Sequence, residues 1–272
     1  MSLKLRTIIG NLPGVGRYLY PYKNNYSIFK DDSQFYSKGF TKPLSKFSRA
    51  KIIVVGLPKS GNVWLQNLIA ESLDMDKINI KDKGKRGVAM THTPFNRSYL
   101  YRKDFARGVY LMRDIRDMVV SYYHYSKTEE YHRPYTDPFC HYEHIDDFYF
   151  EYFLNIIVPR YDWFNHAQTF INKGLPVVKY ERLWDDPEKE LNLMFRKLGL
   201  SVDQEKIAAA IRENELKKLA KSGKEADVSI PKSHFRKGGY GNYKETLSEK
   251  VLADINIRFR DYILAFGYEL DH

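Results

Sequence analysis

The sequence predicts an α/β fold, a three-layer sandwich whose central sheet is parallel and whose first strand, loop and helix form a P-loop-like phosphate-binding unit. Two observations carry that reading. Short β-branched runs alternate with stretches whose apolar residues recur at helical spacing, the order that builds a parallel sheet with helices on both faces. The turn after the first run, GLPKSG, places glycines where a strand must hand over tightly to a helix. The 272 residues, 43% of them hydrophobic, suffice for a sizeable core that needs no covalent staples.

Residues 1–49 scatter Gly, Pro, Tyr and Lys without a period and read as an irregular N-terminal wrap, so the ordered domain is expected over 50–272. KIIVVG, Lys51 to Gly56, has the β-branched run of a buried parallel strand. LPKSG is its turn, and NVWLQNLIAESL its helix, with Trp64, Leu65, Leu68, Ile69 and Leu73 at helical spacing. RGVAMTH, Arg86 to His92, and GVYLMRD, Gly108 to Asp114, read as further strands, the second entering a helix through RDMVVSYYHYSK. A fourth strand is expected at LPVVKYERL, Leu175 to Leu183, before a helix through PEKELNLMFRKLGL. Residues 129–147, rich in turn formers, His and aromatics, read as a substrate-facing insertion leading into a helical stretch with Phe148, Phe150, Tyr152, Phe153 and Ile156. Residues 212–237 hold eight Lys or Arg against four acids, and 221–244 is expected to be a mobile loop. One final helix, about Ser248 to Phe266, carries a core stripe of Val251, Leu252, Ile255, Phe259, Ile263 and Phe266.

The 44 Lys plus Arg against 34 Asp plus Glu leave a net charge of +10, so the surface attracts anions. Nucleic acid and a small phosphorylated ligand both satisfy that balance, but no dense basic block favours a nucleic-acid tail. The longest apolar segments, such as KIIVVGLP and YILAFGY, fall far short of the roughly 18 residues that cross a bilayer, and no transmembrane segment is expected. The N-terminus lacks a signal-peptide cleavage pattern. A single cysteine, Cys140, excludes an internal disulfide framework and points to a reducing, cytoplasmic compartment. Cys140, His141, His144 and nearby His132 are metal-ligand types whose spacing defines no closed four-ligand set, and no metal is expected.

Chemistry concentrates at the strand ends, where open parallel sheets place their ligand crevice. Gly56 to Trp64, GLPKSGNVW, directs backbone N–H groups and a helix N-terminus at one point, which suits phosphate. Against the nucleotide-triphosphatase pattern G-x-x-x-x-G-K-[ST], Asn62 and Val63 stand where the lysine and the magnesium-binding hydroxyl belong, and the lysine sits inside the loop as Lys59. His92, at the end of the next strand, shares the rim with Lys59, Arg113 and Tyr180 and reads as a neutral base able to deprotonate a hydroxyl near pH 7.

PKSGNVW at 58–64, THTP at 91–94, RDIRDMVVSYYHY at 113–125 and RKGGYGNYK at 236–244 together resemble, in order and spacing, the motifs of the cytosolic sulfotransferase family. The resemblance covers about residues 50–267. It implies transfer of the sulfuryl group of 3'-phosphoadenosine-5'-phosphosulfate (PAPS) to a hydroxyl or amine of a small acceptor, leaving 3'-phosphoadenosine-5'-phosphate (PAP). Carried over residue by residue, it implies that Lys59 assists the leaving oxygen and that Ser60, Gly61, Asn62 and Val63 cradle the 5'-phosphate. Trp64 and Tyr180 would meet the adenine, Arg113, Ser121, Arg236, Lys237 and Gly238 the 3'-phosphate, and His92 would be the general base. Lys59, His92 and Ser121 form the implied catalytic set.

The chain departs from that family in four places. Asn62 and Val63 replace paired threonines, Met90 replaces a lysine two residues before the histidine, no Ser-Phe pair is evident around Arg212 to Leu216, and KETLSEKVLA keeps little of the short dimer motif. A monomer or a dimer of another kind is therefore expected. The rival readings are a P-loop kinase or ATPase, which lacks its Lys-Ser/Thr pair here, and a basic RNA-binding protein, for which no RNA-recognition motif is present. An alcohol or phenol is the expected acceptor, and no nucleic-acid partner is expected. Tyr131, Tyr135, Phe139, Tyr142, Phe148 and Phe150 suit an aromatic acceptor or an ordinary core equally.

Overall fold

Lys51–Val55, Gly87–Thr91, Arg107–Met112 and Val177–Lys179 are the strands β1 to β4 of one all-parallel sheet in the order β2-β1-β3-β4. The computed structural model describes residues 51–80, 85–93, 107–128, 131, 142–172, 174–215 and 239–271. The expected N-terminal wrap, most of the 129–147 insertion with Cys140, His141 and His132, and the 221–244 loop as far as Gly238 lie outside them. The chain divides into two units, one of Asn24–Arg113 and Asn165–Lys221, the other of Met1–Lys23, Asp114–Phe164 and Ser222–His272.

The first unit holds the whole sheet. All five residues of β1 are buried, which is why the four that follow Lys51 are apolar without alternation. β1 connects to β2 on one side while β3 connects to β4 on the other, so the gap between β1 and β3 is a topological switch point. Crossovers in parallel sheets are nearly always right-handed, and that order of connections places helices on opposite faces. Helix α1 (Asn62–Ser72) buries Trp64, Leu65, Leu68 and Ile69 and is tied to β2 by Gln66 Nε2 donating to the Val88 carbonyl at 2.8 Å. The crossover into β4 contains α3 (Trp163–Asn172), whose Phe170 and His166 rings lie 5.7 Å from the Tyr110 ring of β3.

The fourth strand is shorter than expected. β3 ends at Met112, so only Val177, Val178 and Lys179 find partners, and the chain turns at once into helix α4 (Tyr180–Asp185) and then α5 (Pro187–Lys197). Helix α6 (Gln204–Glu213) follows, so the basic stretch from Arg212 begins inside a helix.

In the second unit α2 (Ile115–Ser126) is capped by Asp114, whose carboxylate accepts from the Arg116 backbone N–H at 2.9 Å. The Arg116 guanidinium is buried between Asp114 and Asp271, with the Tyr243 ring 4.4 Å away. Phe148–Ile157 is helical as expected but wound as a π-helix, with Phe148, Tyr149, Tyr152, Phe153, Ile156 and Ile157 buried in pairs four residues apart. Tyr131 and Phe148 are fully buried beside Tyr122, so these two aromatics are core. The end of the expected mobile loop turns into helix α7 (Tyr243–Thr246) because Asp117 accepts from the N–H groups of Gly241 at 2.6 Å and Tyr243 at 3.3 Å. The single final helix is two, α8 (Glu249–Arg258) and α9 (Arg260–Ala265), broken at buried Phe259, which stacks on Phe164 with centroids 4.8 Å apart. Of the expected core stripe, Val251, Ile255, Phe259 and Ile263 are buried, whereas Leu252 and Phe266 are only half-buried.

Candidate active site

The β1–β2 register ends with Val55 opposite Thr91, so the residues leaving the sheet side by side are Gly56 and His92. His92 Nδ1 lies 2.8 Å from the Gly56 carbonyl oxygen. A carbonyl only accepts, so Nδ1 carries the proton and Nε2 is the basic nitrogen. Asn62 Nδ2 approaches the same Nδ1 at 3.4 Å, a contact between two donors, and makes its own bond to the Leu57 carbonyl at 2.9 Å. The Asn62 side chain thus braces the loop from within. Burial, the largest influence, pushes the His92 imidazole below the ordinary histidine value; the Gly56 bond pulls the other way and the Lys59 charge adds to the lowering. The ring is neutral at pH 7, the form a base must start from.

The loop from β1 to α1 is tightly wound. Ser60 N–H donates to the Leu57 carbonyl at 3.3 Å, Lys59 is held at φ 71° and Gly61 at φ 95°. A Cβ on Gly61 would sit 2.7 Å from the Tyr180 ring, and one on Gly56 would sit 2.7 Å from the Leu111 carbonyl oxygen, so both positions require glycine. The first helical bond, Leu65 N–H to Gly61 C=O at 3.1 Å, leaves the amides of Asn62, Val63 and Trp64 without acceptors in their own helix. These N–H groups, the positive end of the helix dipole and Lys59 make a donor set for an anion.

Arg113, one residue past β3, donates from Nη1 to the Lys59 carbonyl at 3.1 Å, and its guanidinium carbon lies 4.2 Å from the Tyr180 ring centroid. Trp64 meets Tyr180 edge-on at 5.7 Å and Trp184 at 5.9 Å, and its buried Nε1 has no hydrogen-bond partner among the described residues. Lys59, Ser60, Gly61, Asn62, Val63, Trp64, His92, Arg113 and Tyr180 are thus gathered within the sheet-bearing unit. Ser121 lies, partly exposed, on α2 of the other unit, and Arg236, Lys237 and Gly238 are outside the described residues.

Sequence reasoning missed two neighbours of this cluster. Trp184 is one helical turn beyond Tyr180 and stacks on it with centroids 6.3 Å apart. His166 is fully buried on α3 and hydrogen-bonded to the His92 carbonyl at 3.2 Å. Its signal was available: Trp163, His166, Ala167 and Phe170 fall on one helical stripe, and all four are buried.

A strand, a glycine-bearing loop and a helix N-terminus at the switch point of a parallel sheet define a P-loop-like α/β protein. Residues 70–264 match the sulfotransferase domain family, and the chain belongs to it. It is 22% identical to sulfotransferase 1A1 of Bos taurus, over 77% of this chain and 85% of that one. Identity to cytosolic sulfotransferase 3 of Arabidopsis thaliana is 23%, covering 96% and 94%. Among solved structures, mouse sulfotransferase SULT7A1 complexed with PAP superposes with a TM-score of 0.66 at 20% identity, covering 84% of this chain and 91% of that one. A retinol dehydratase in complex with androsterone and inactive cofactor PAP gives 0.62 at 16% identity, covering 90% and 87%. The chain is a sulfotransferase with the fold of these proteins. No helix among the described residues is long and apolar enough to cross a membrane.

Proposed function

We propose that this sulfotransferase moves the sulfuryl group of PAPS, by in-line transfer, to a hydroxyl or amine of a small acceptor, an alcohol or phenol foremost, and releases PAP. The observation that carries the reading is the 2.8 Å bond from His92 Nδ1–H to the Gly56 carbonyl, which leaves Nε2 as the basic nitrogen beside the phosphate loop. The residues present suit the nucleotide. Their donors are cationic or N–H groups, and Trp64 has a buried indole N–H with no partner among the described residues. PAPS, when bound, supplies a sulfuryl group on a phosphate leaving group.

His92 takes the acceptor's proton at Nε2 as the acceptor oxygen attacks. Lys59 and the amides of Gly61, Asn62 and Val63 would hold and neutralise the 5'-phosphate end, where leaving-group charge grows, while the Ser60 amide, bonded to the Leu57 carbonyl at 3.3 Å, braces the loop. Trp64 and Tyr180 supply aromatic faces for adenine, and Arg113 a guanidinium for the 3'-phosphate. Ser121, Arg236, Lys237 and Gly238 are assigned to that phosphate on family resemblance alone, and Ser121 completes the catalytic set on the same ground. We place the protein in the cytoplasm, in keeping with the name of its plant relative, as a monomer or a dimer that does not use the family's short C-terminal motif.

A screen of acceptor alcohols, phenols and amines with PAPS, read by mass detection of the product, tests the proposal. Sulfated product without added magnesium supports it. Phosphorylated product or hydrolysis from ATP, with no transfer from PAPS, would replace it by the kinase reading.

A further inference from the structure

His166 is a buried titratable group with no part in the chemistry above. It is 1% exposed, and its two ring nitrogens meet two different partners: Nε2 is 3.2 Å from the His92 carbonyl oxygen and Nδ1 is 3.0 Å from the Tyr110 hydroxyl. The carbonyl can only accept, so Nε2 bears the proton; Nδ1 is then the acceptor for the Tyr110 O–H. One neutral tautomer satisfies both bonds. Burial, outweighing the bond to His92, holds the imidazole at a pKa of about 3, so the tautomer is the same at every working pH.

His92 needs such support because it stands one residue past the last β1–β2 pair, where the ladder no longer holds its backbone. Thr91 Oγ1 accepts from the Thr93 N–H at 3.1 Å and stiffens the turn, and the ring is pinned at Nδ1 by Gly56. The bond from His166 Nε2–H to the His92 carbonyl holds the peptide group just beyond the ladder. We propose that His166, locked in one tautomer by Tyr110, is a positioning residue that holds the His92 peptide group and so aims Nε2 of the proposed base. This rests on reading His92 as the base. The chain of contacts runs from β3 through Tyr110 and His166 to His92, coupling a rigid interior strand to a residue at the sheet's rim.

The test needs no acceptor. Long-range nitrogen–proton NMR on the full-length protein with ring-labelled histidine reads the tautomer and titration of His92, its signal assigned by loss in His92→Gln. Wild type should show proton on Nδ1 and a titration below the ordinary histidine value. Tyr110→Phe, which keeps the ring and removes only the hydroxyl, and His166→Phe should both give mixed His92 tautomers and move its titration up toward that value. His166→Gln, which retains an N–H donor, should restore the wild-type signal in part. Thermal melting checks that each variant is folded, and Tyr110→Phe carries the test if His166→Phe is not. A wild-type His92 protonated on Nδ1 and unchanged in folded Tyr110→Phe would overturn the positioning role while leaving the base reading intact. A wild-type His92 protonated on Nε2 would overturn the base reading and the positioning role together.

Discussion

At the scale of single residues, the site keeps conformations that a merely stable fold would discard. Lys59 is held at φ 71°, a left-handed backbone that costs an L-residue with a side chain roughly 1–2 kcal/mol. Lys59→Gly should therefore leave stability unchanged or raise it by up to about 1 kcal/mol, after glycine's own entropic cost, while lowering transfer. A clear fall in the thermal midpoint would contradict that account of the loop. His92→Ala should reduce turnover by roughly 10²- to 10⁴-fold, the usual worth of a positioned base, and change PAP affinity far less. Steady-state kinetics with an acceptor from the screen, beside PAP titration, separates the two effects, and wild-type turnover in the variant would remove His92 from the chemistry. Sequence alone brought Lys59, His92, Arg113 and Tyr180 to the same rim because each follows a β-rich run. It left His166 unread because a histidine on an apolar stripe looks like an ordinary core residue until its partners are known.

At the scale of elements, regular segments were legible and interruptions were not. The β-branched runs marked β1, β2 and β3 to within two residues, since a strand buried on both faces leaves an apolar signature in one dimension. β4 was read too long because its end is set by where β3 runs out of pairing groups, a fact held in another part of the chain. The π-winding of Phe148–Ile157 and the break at Phe259 have the same origin: spacing four residues apart suits several helical windings, and Phe259 leaves the helix to stack on Phe164. The base of α7 offers a test at this scale. Asp117 accepts from two backbone N–H groups, of Gly241 and Tyr243, so Asp117→Ala leaves both without that partner and should cost about 1–3 kcal/mol in urea denaturation. A change within about 0.5 kcal/mol would show that the α7 anchor lies elsewhere.

At the scale of the whole molecule, His92 and His166 each make stability depend on pH. Both have folded pKa values below the ordinary 6.5, His166 near 3. Above pH 6.5 neither state takes up the proton and their contribution is complete. Below it the unfolded chain binds protons that the native chain refuses, so stability falls as pH drops from about 6.5 toward 3, by up to about 1.4 kcal/mol per pH unit for each histidine that stays neutral. Denaturant melts between pH 5 and 7.5 measure the slope, and folded His166→Phe should lose its share of it. A slope in that variant equal to wild type's would mean that His166 already exchanges protons with water in the native state.

The claim on which the functional account turns is that the loop between β1 and α1 holds a phosphoadenosine nucleotide through Lys59. Calorimetric titration of PAP into the full-length protein without magnesium tests it most directly, with Lys59→Ala and ATP with magnesium as comparisons. PAP should bind saturably, and its binding should weaken at least about tenfold in Lys59→Ala, the scale of one charge-assisted contact. Absent PAP binding, or PAP binding indifferent to Lys59→Ala beside tight magnesium-dependent binding of ATP, would contradict it.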